Sequence, residues 1–327
     1  MTDNKKDTTI SIVRYTQQHR SAWNTFVRES RNGTFLHMRE YMEYHSNRFC
    51  DHSLLFTVDD GKRIAALLPA NADGDTLSSH GGLTYGGLII SNHTTAEMVM
   101  QIFTLLAEYI ACDTQIKKII YRCIPHIYHK YPCDEDLYAL FRMGATLVER
   151  KISSAVQIKN PLPTRGRRKL TATAKSRLGI IEDDNFAAFW EILTNRLQQK
   201  YGVSPVHTLN EITMLHNHFP QNIRLFRVTD EHGATIAGTL IYLTDNVAHM
   251  QYIATTDTGR RAGALYHLCE HLIHERFTNI QYLDFGISTE QGGHYLNSGL
   301  ITSKENLGGR AIMYDTYMID IKKKPLL

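Results

Sequence analysis

The sequence predicts an α/β fold of two tandem domains. An order of strand, hairpin turn, strand, loop, amphipathic helix and strand occurs twice along the 327 residues. Each copy follows a helical segment that carries a tryptophan and further aromatics. Between the copies lies NPLPTRGRRKL, Asn160 to Leu170, where two prolines, a glycine and a basic cluster mark a linker. The expected domains are residues 1–160 and 161–310.

In the first copy, Thr8 to Tyr15 alternates as a strand. Gln17 to Ser30 is a helix with Trp23, Phe26 and Val27 on its inner face, stopped by Arg31-Asn32-Gly33-Thr34. Phe35 to Arg48 reads as a second helix. Ser53 to Val58 and Ile64 to Pro69 form a hairpin about Asp59-Asp60-Gly61. HGGLTYGG, His80 to Gly87, is a glycine-rich loop. Thr94 or Thr95 caps a helix that reaches Ile110, and Ile116 to Cys123 is a buried-type strand. Asp134 to Met143 is helical, and Leu147 to Ile158 is a strand.

In the second copy, Gly179 to Ile181 is a strand, and Asn185 to Gln199 is a helix with Phe186, Phe189, Trp190 and Leu193 on one side. Leu209 to Phe219 is a further helix. SLLFTVDDGKRIAALLPA in the first copy answers to IRLFRVTDEHGATIAGTLIYL in the second, with Leu55-Phe56 matching Leu225-Phe226 and Ile64-Ala65 matching Ile236-Ala237. Val247 to Ala254 is the next strand, Thr255 to Arg261 a polar loop ending in two arginines, and about Ala262 to Arg276 a helix. Gln281 to Phe285 is a buried-type strand. A strand feeding a glycine-containing loop and a helix N-terminus can hold an anion, because backbone amides there lack intrahelical partners. IMYDTYMIDI supplies a last strand in the tail.

The net charge of +3 argues against a dedicated nucleic-acid binder, so DNA is not an expected partner. No apolar run has the length of a membrane span or the pattern of a signal peptide. The five cysteines are scattered and form no CxxC, as expected of reduced thiols in a cytoplasmic protein. His267, His271 and His274 share a helix face, but no HExxH pattern accompanies them. They are read as a solvated face, and no metal is expected. GxSxG, P-loop and Rossmann signatures do not occur.

Several segments together resemble the FemAB-type members of the GCN5-related N-acyltransferase (GNAT) superfamily. They are YGG at Tyr85 to Gly87, Phe219-Pro220, RLFRV with IAGTLIYL, and YLDFG at Tyr282 to Gly286, followed by Gly293, Leu300, Lys304 and Gly308. The resemblance covers nearly the whole chain. It implies two tandem acyltransferase-like domains, a twisted mixed sheet in each, and a cleft between them. It further implies that the tail, 311–327, packs with the first domain. The second domain would bind the donor, and the first would keep a degenerate donor site and shape the acceptor side.

The resemblance implies an oxyanion partner on the strand near Tyr252, Ile253 and Ala254, and donor phosphates at Arg260, Arg261, Gly263 and Ala264. The superfamily signature of Arg or Gln, two residues, Gly, one residue, then Gly or Ala is met at Arg260 and Gly263 and departs at Leu265. Acetyl-CoA is the first expected donor and aminoacyl-tRNA the second. The basic run from Arg165 to Arg177 favours the tRNA unless it is a solvated linker. Asp284 is a candidate base or acceptor anchor, or a structural carboxylate capping the Gly286 turn. Tyr85 is a second catalytic candidate, and Lys304, His80 and Arg39 are candidates for acceptor binding, Arg39 the weakest of them. The expected reaction is direct attack by an amine of a cell-envelope or polysaccharide precursor, since no cysteine stands in an activated setting. The alternative is a ligand-binding protein that has lost catalysis on the same duplicated fold.

Overall fold

A computed structural model describes residues 9–112, 115–163 and 175–321. Most of the basic run from Arg165 to Arg177, and Thr8 of the first expected strand, lie outside them. The chain divides into one unit of Met1–Arg150 with Tyr314–Leu327 and another of Lys151–Met313. Among the described residues no helix is long and apolar enough to cross a membrane.

In the first unit, β1 (Ser11–Arg14) leads to helices α1 (Arg20–Glu29) and α2 (Arg39–Glu43). Strands β2 (Cys50–Asp51), β3 (Leu54–Val58), β4 (Arg63–Leu68), β5 (Asn71–Asp73), β6 (Thr76–Ser78) and β7 (Ile89–Ile90) follow. After α3 (Ala96–Cys112) come β8 (Lys118–Arg122), α4 (Glu135–Arg142) and β9 (Thr146–Gln157), whose residues from Lys151 belong to the second unit. β1, β3, β4 and β7 form an antiparallel sheet in that order. β6 pairs in parallel with β8 and antiparallel with β5. The core fills because α3 repeats apolar residues at helical spacing, with Val99, Ile102, Phe103, Leu106 and Ile110 all buried against Leu54, Phe56 and Leu68. The helix expected over Phe35 to Arg48 is instead a 3-10 turn, Phe35–His37, then the short α2. The cause is Met38, whose extended backbone (ψ 143°) separates the two.

In the second unit, β10 (Gly179–Asp183), α5 (Phe186–Tyr201) and α6 (Leu209–His218) precede β11 (Ile223–Thr229), β12 (Thr235–Leu243) and β13 (Val247–Thr255). Then come α7 (Asp257–Ala262), α8 (Ala264–His271), β14 (Tyr282–Ile287), β15 (Thr289–Glu290), β16 (Tyr295–Leu296), α9 (Ser298–Asn306) and β17 (Arg310–Asp320), whose residues from Tyr314 belong to the first unit. β10 to β13 form an antiparallel run, β13 pairs in parallel with β14, and β14 pairs antiparallel with residues 153–157 of β9. α8 closes one face with Ala264, Leu268, Cys269 and Leu272 over Phe226, Ala248, Met250 and Leu283.

The duplication is written in hydrogen bonds as well as in element order. Trp23 Nε1 donates to the His37 carbonyl at 2.8 Å, and Trp190 Nε1 donates to the His207 carbonyl at 3.2 Å. Each hairpin carries a register shift, at Phe56/Thr57 and at Val228/Thr229. The freed carbonyl beside each shift accepts from a threonine hydroxyl ahead of the next helix: Thr94 Oγ1 to Ala65 at 2.5 Å, and Thr256 Oγ1 to Ile236 at 3.1 Å. A groove then opens beside the first helix of each copy, about 800 Å³ by α1 and about 510 Å³ by α5.

Candidate active site

The second unit's sheet opens where β13 and β14 part. Their parallel register runs only from Val247 opposite Tyr282 to His249 opposite Asp284. β13 continues to Thr255 with β12 on its other side. Among the described residues no strand pairs with its free edge beyond His249. Gln251 has no cross-strand partner, because Met250 sits opposite Ile241 and Tyr252 opposite Leu240. This inserted residue is a β-bulge. It turns both Met250 and Ile253 to the core under α8 and leaves His249 and Tyr252 on the opposite face. Tyr252 there packs edge-on to Trp190, its ring centroid 5.3 Å away, and its hydroxyl lies 2.7 Å from His207 Nδ1. Burial pushes the Tyr252 hydroxyl up to about 12. Ala254 is buried, so Tyr252, Ile253 and Ala254 offer a ligand their main chain rather than their side chains.

Asp284 is fully buried. Its Oδ1 accepts from the Ser153 hydroxyl and from the Gly286 amide at 3.0 Å, and its Oδ2 faces His249 Nδ1 at 2.9 Å. The carboxylate caps the Gly286 turn and cannot itself reach a ligand. His249, which sequence reasoning passed over, stands between Asp284 and the open edge. Its position in an apolar strand, VAHMQYIAT, was the available signal, since a lone histidine in a buried strand requires a partner.

The expected polar loop from Thr255 to Arg261 is largely helix, and the helix expected from about Ala262 to Arg276 is α8 continued by a π-helical turn over Leu272–Arg276. Thr256 Oγ1 accepts from the Gly259 amide at 3.0 Å and starts α7 early. Gly263, at φ +70°, ends α7 and begins α8. Arg260 and Arg261 therefore lie in the last turn of a short helix, where a negative dipole end suits cations, and not at its N-terminus. Arg260 pairs with Asp257, and Arg261 donates to Thr258 Oγ1 at 3.3 Å. Ala264 is a core side chain that leaves only its amide, at the first turn of α8, to a ligand. Gly259 serves packing: a Cβ there would sit 2.2 Å from the Ile236 carbonyl oxygen. Gly259→Ala is expected to cost about 2–3 kcal/mol in urea unfolding, because main chain on both sides cannot yield to the extra carbon.

Lys304 is buried on α9, and its Nζ donates to the carbonyls of Gly286 at 2.7 Å and Ile287 at 2.8 Å. Burial lowers it to about 8, against a weaker upward pull from Asp284. Its donors hold the end of β14, so it supports the site from beneath.

The candidates of the first unit are packed inside that unit. Tyr85 donates to Thr34 Oγ1 at 3.2 Å and lies 4.5 Å from the Tyr128 ring. His80 takes a left-handed backbone (φ +57°), accepts the Gly82 amide at 3.3 Å, and is pushed down to about 3 by burial and by His45. Arg39 is enclosed by Glu43, Asp51 and the Tyr15 ring. The glycines of the loop meet the unit's own atoms: a Cβ at Gly86 would fall 1.7 Å from the Ser79 carbonyl oxygen, and one at Gly82 2.0 Å from His45 Nε2. The close approach that these glycines permit is thus made by the protein itself.

Residues 164–295 match the family model described as acetyltransferase (GNAT) domain. The crystal structure of FemX superposes with a TM-score of 0.60 at 11% identity, covering 93% of this chain and 96% of that one. L-PGS from Bacillus licheniformis gives 0.56 at 11% identity, over 92% of this chain and 91% of that one. A tandem GNAT protein from the clavulanic acid biosynthesis pathway gives 0.51 at 9% identity, over 97% and 100%. No curated protein sequence matches. The family match identifies a GNAT acetyltransferase domain over residues 164–295. The fold of the chain as a whole is similar to that of FemX and of the tandem GNAT protein.

Proposed function

We propose that the protein is an N-acyltransferase whose donor lies along the open edge of β13, and that an amine of a cell-envelope or polysaccharide precursor attacks the donor carbonyl directly. The observation that carries this reading is the parting of β13 and β14 after His249 and Asp284, beside the bulge at Gln251. The freed amides and carbonyls of residues 250–255 form a template that an amide-bearing donor arm can pair with as a strand does. An amide from the same edge can polarise the acyl carbonyl as negative charge develops on its oxygen.

The donor's phosphates would lie at the first turn of α8, with Arg260 and Arg261 turning from Asp257 and Thr258 toward them. Acetyl-CoA is the donor favoured by the GNAT domain match. Aminoacyl-tRNA is the second reading, favoured by a specific departure. Leu265 stands where the phosphate signature asks for a small residue, and Arg260 already has a carboxylate partner. The likeness to L-PGS, and to a putative lysylphosphatidylglycerol synthetase domain from Agrobacterium fabrum with a TM-score of 0.55, supports aminoacyl transfer as well.

Thermal unfolding with CoA, acetyl-CoA and aminoacyl-tRNA tests the reading, since a ligand of the folded state raises the midpoint by mass action. The double variant Arg260→Ala/Arg261→Ala is expected to weaken donor binding about 10–100-fold, the loss of one or two charge-assisted bonds. Wild-type protein unmoved by every donor would refute the proposal.

A further inference from the structure

We propose that His249 accepts the proton of the attacking amine and that Asp284 is its positioning residue. The inference rests on the acyl-transfer reading above. The geometry is asymmetric in a telling way. Asp284 Oδ1 accepts from two donors, the Ser153 hydroxyl and the Gly286 amide, while Oδ2 faces His249 Nδ1. A carboxylate only accepts, so Nδ1 of the neutral imidazole carries the hydrogen and the lone pair lies on Nε2. Nε2 has no hydrogen-bond partner among the described residues. His249 is also the last residue of β13 in register with β14, so its ring stands where the open edge begins. Gly286, at φ +77°, lies beside the Cε1 edge of the ring and is held in a conformation that disfavours any side chain there. Lys304, bonded to the Gly286 and Ile287 carbonyls, is the cation that faces Asp284 from α9.

The step balances as follows. The neutral amine's lone pair attacks the acyl carbon, and a C–N bond forms. The excess N–H proton passes to His249 Nε2. The C–S bond of a thioester, or the C–O bond of an aminoacyl ester, breaks, and the imidazolium returns the proton to the leaving sulfur or oxygen. Asp284 keeps the tautomer and steadies the imidazolium without contacting substrate.

Asp284→Asn is the sharpest variant. Ser153 and Gly286 both donate to the oxygen at the Oδ1 position, so the carboxamide nitrogen falls at the Oδ2 position and donates to Nδ1. That moves the ring hydrogen to Nε2 and removes the acceptor while keeping the shape. The experiment uses acetyl-CoA and alanyl-tRNA as donors and two probe amines: methylamine, protonated at pH 7, and hydroxylamine, neutral at pH 7. Donor binding is read by thermal shift, transfer by product formation above the uncatalysed rate, and the tautomer by long-range ¹H–¹⁵N NMR. Expected are an Nδ1–H tautomer in the wild type and Nε2–H in Asp284→Asn. Asp284→Asn and His249→Ala should both keep the donor shift. Both should lose about 100-fold or more in transfer to methylamine, and less than about 10-fold to hydroxylamine. Equal losses for the two amines, no loss, or a wild type that binds donor yet acylates neither amine would overturn the proposal. An Nε2–H tautomer in the wild type would do so without any variant. A wild type unmoved by both donors would instead overturn the acyl-transfer reading, and this inference with it.

Discussion

Arg39→Ala is expected to destabilise the protein by about 3 kcal/mol in urea unfolding. Arg39 is 2% exposed, donates from Nε to Glu43 at 2.9 Å, pairs with Asp51 and lies 3.6 Å above the Tyr15 ring. Removing one partner of a buried ion cluster leaves the others charged and poorly solvated, at a cost of about 3–5 kcal/mol. The low end applies here, because Glu43 keeps Arg20 at 2.6 Å and the Asp51 side chain is 35% exposed. The pH dependence has a definite sign. Burial alone would raise the Asp51 carboxyl, but Arg39 and the Ser53 hydrogen bonds outweigh it and hold the group below its ordinary 3.8. A depressed folded value gives stability that is present above the unfolded value and lost as pH falls through the folded one. Without Arg39 the burial effect remains, opposed only by the Ser53 hydrogen bonds, and the depression weakens. The gap between wild type and variant should therefore narrow as pH falls below about 4. A gap that stays constant with pH would show that lost packing, and not charge, sets the cost.

Arg39 also shows what a sequence conceals. Its charge suggested an acceptor contact, but nothing local announces that Asp51 and Glu43 close around it. The element order was legible because hydrophobic period and turn chemistry are local, as in Ser53 to Val58 with its Asp-Asp-Gly turn. The tandem repeat was legible for the same reason. The bulge at Gln251 was not, because VAHMQYIAT reads as an uninterrupted strand and the inserted residue is defined only by its neighbour β12. The broken helix at Gly263 left a mark in the sequence, a glycine inside a helical pattern, but Thr256 as an earlier cap competed with it. The strand-end pattern singled out Asp284, but nothing local points to its contact with His249. The pair forms only through the parallel register of β13 and β14, strands separated by two helices in the chain.

Lys304→Ala joins the fold to the site and is expected to cost about 3 kcal/mol. The ammonium is the donor recorded for two carbonyls at the end of β14, 2.7 and 2.8 Å away. Leaving a buried acceptor unpaired costs about 1–3 kcal/mol each. Gly286 there holds a left-handed backbone, and its amide donates to Asp284 two residues before it. Loosening this turn should also release the Gly286 amide from Asp284 and blur the orientation of His249. The pH signature separates Lys304 from a neutral structural residue. Burial lowers it from 10.5 to about 8, with Asp284 pulling weakly the other way. Between those values the unfolded chain binds the extra proton, so wild-type stability gains from this group as pH rises from about 8 to 10.5. Lys304→Ala should lose that rise, read as urea midpoints across the window. A variant that keeps wild-type stability and the same slope would mean that the strand end is held elsewhere. The orientation of Asp284 toward His249 would then need another cause.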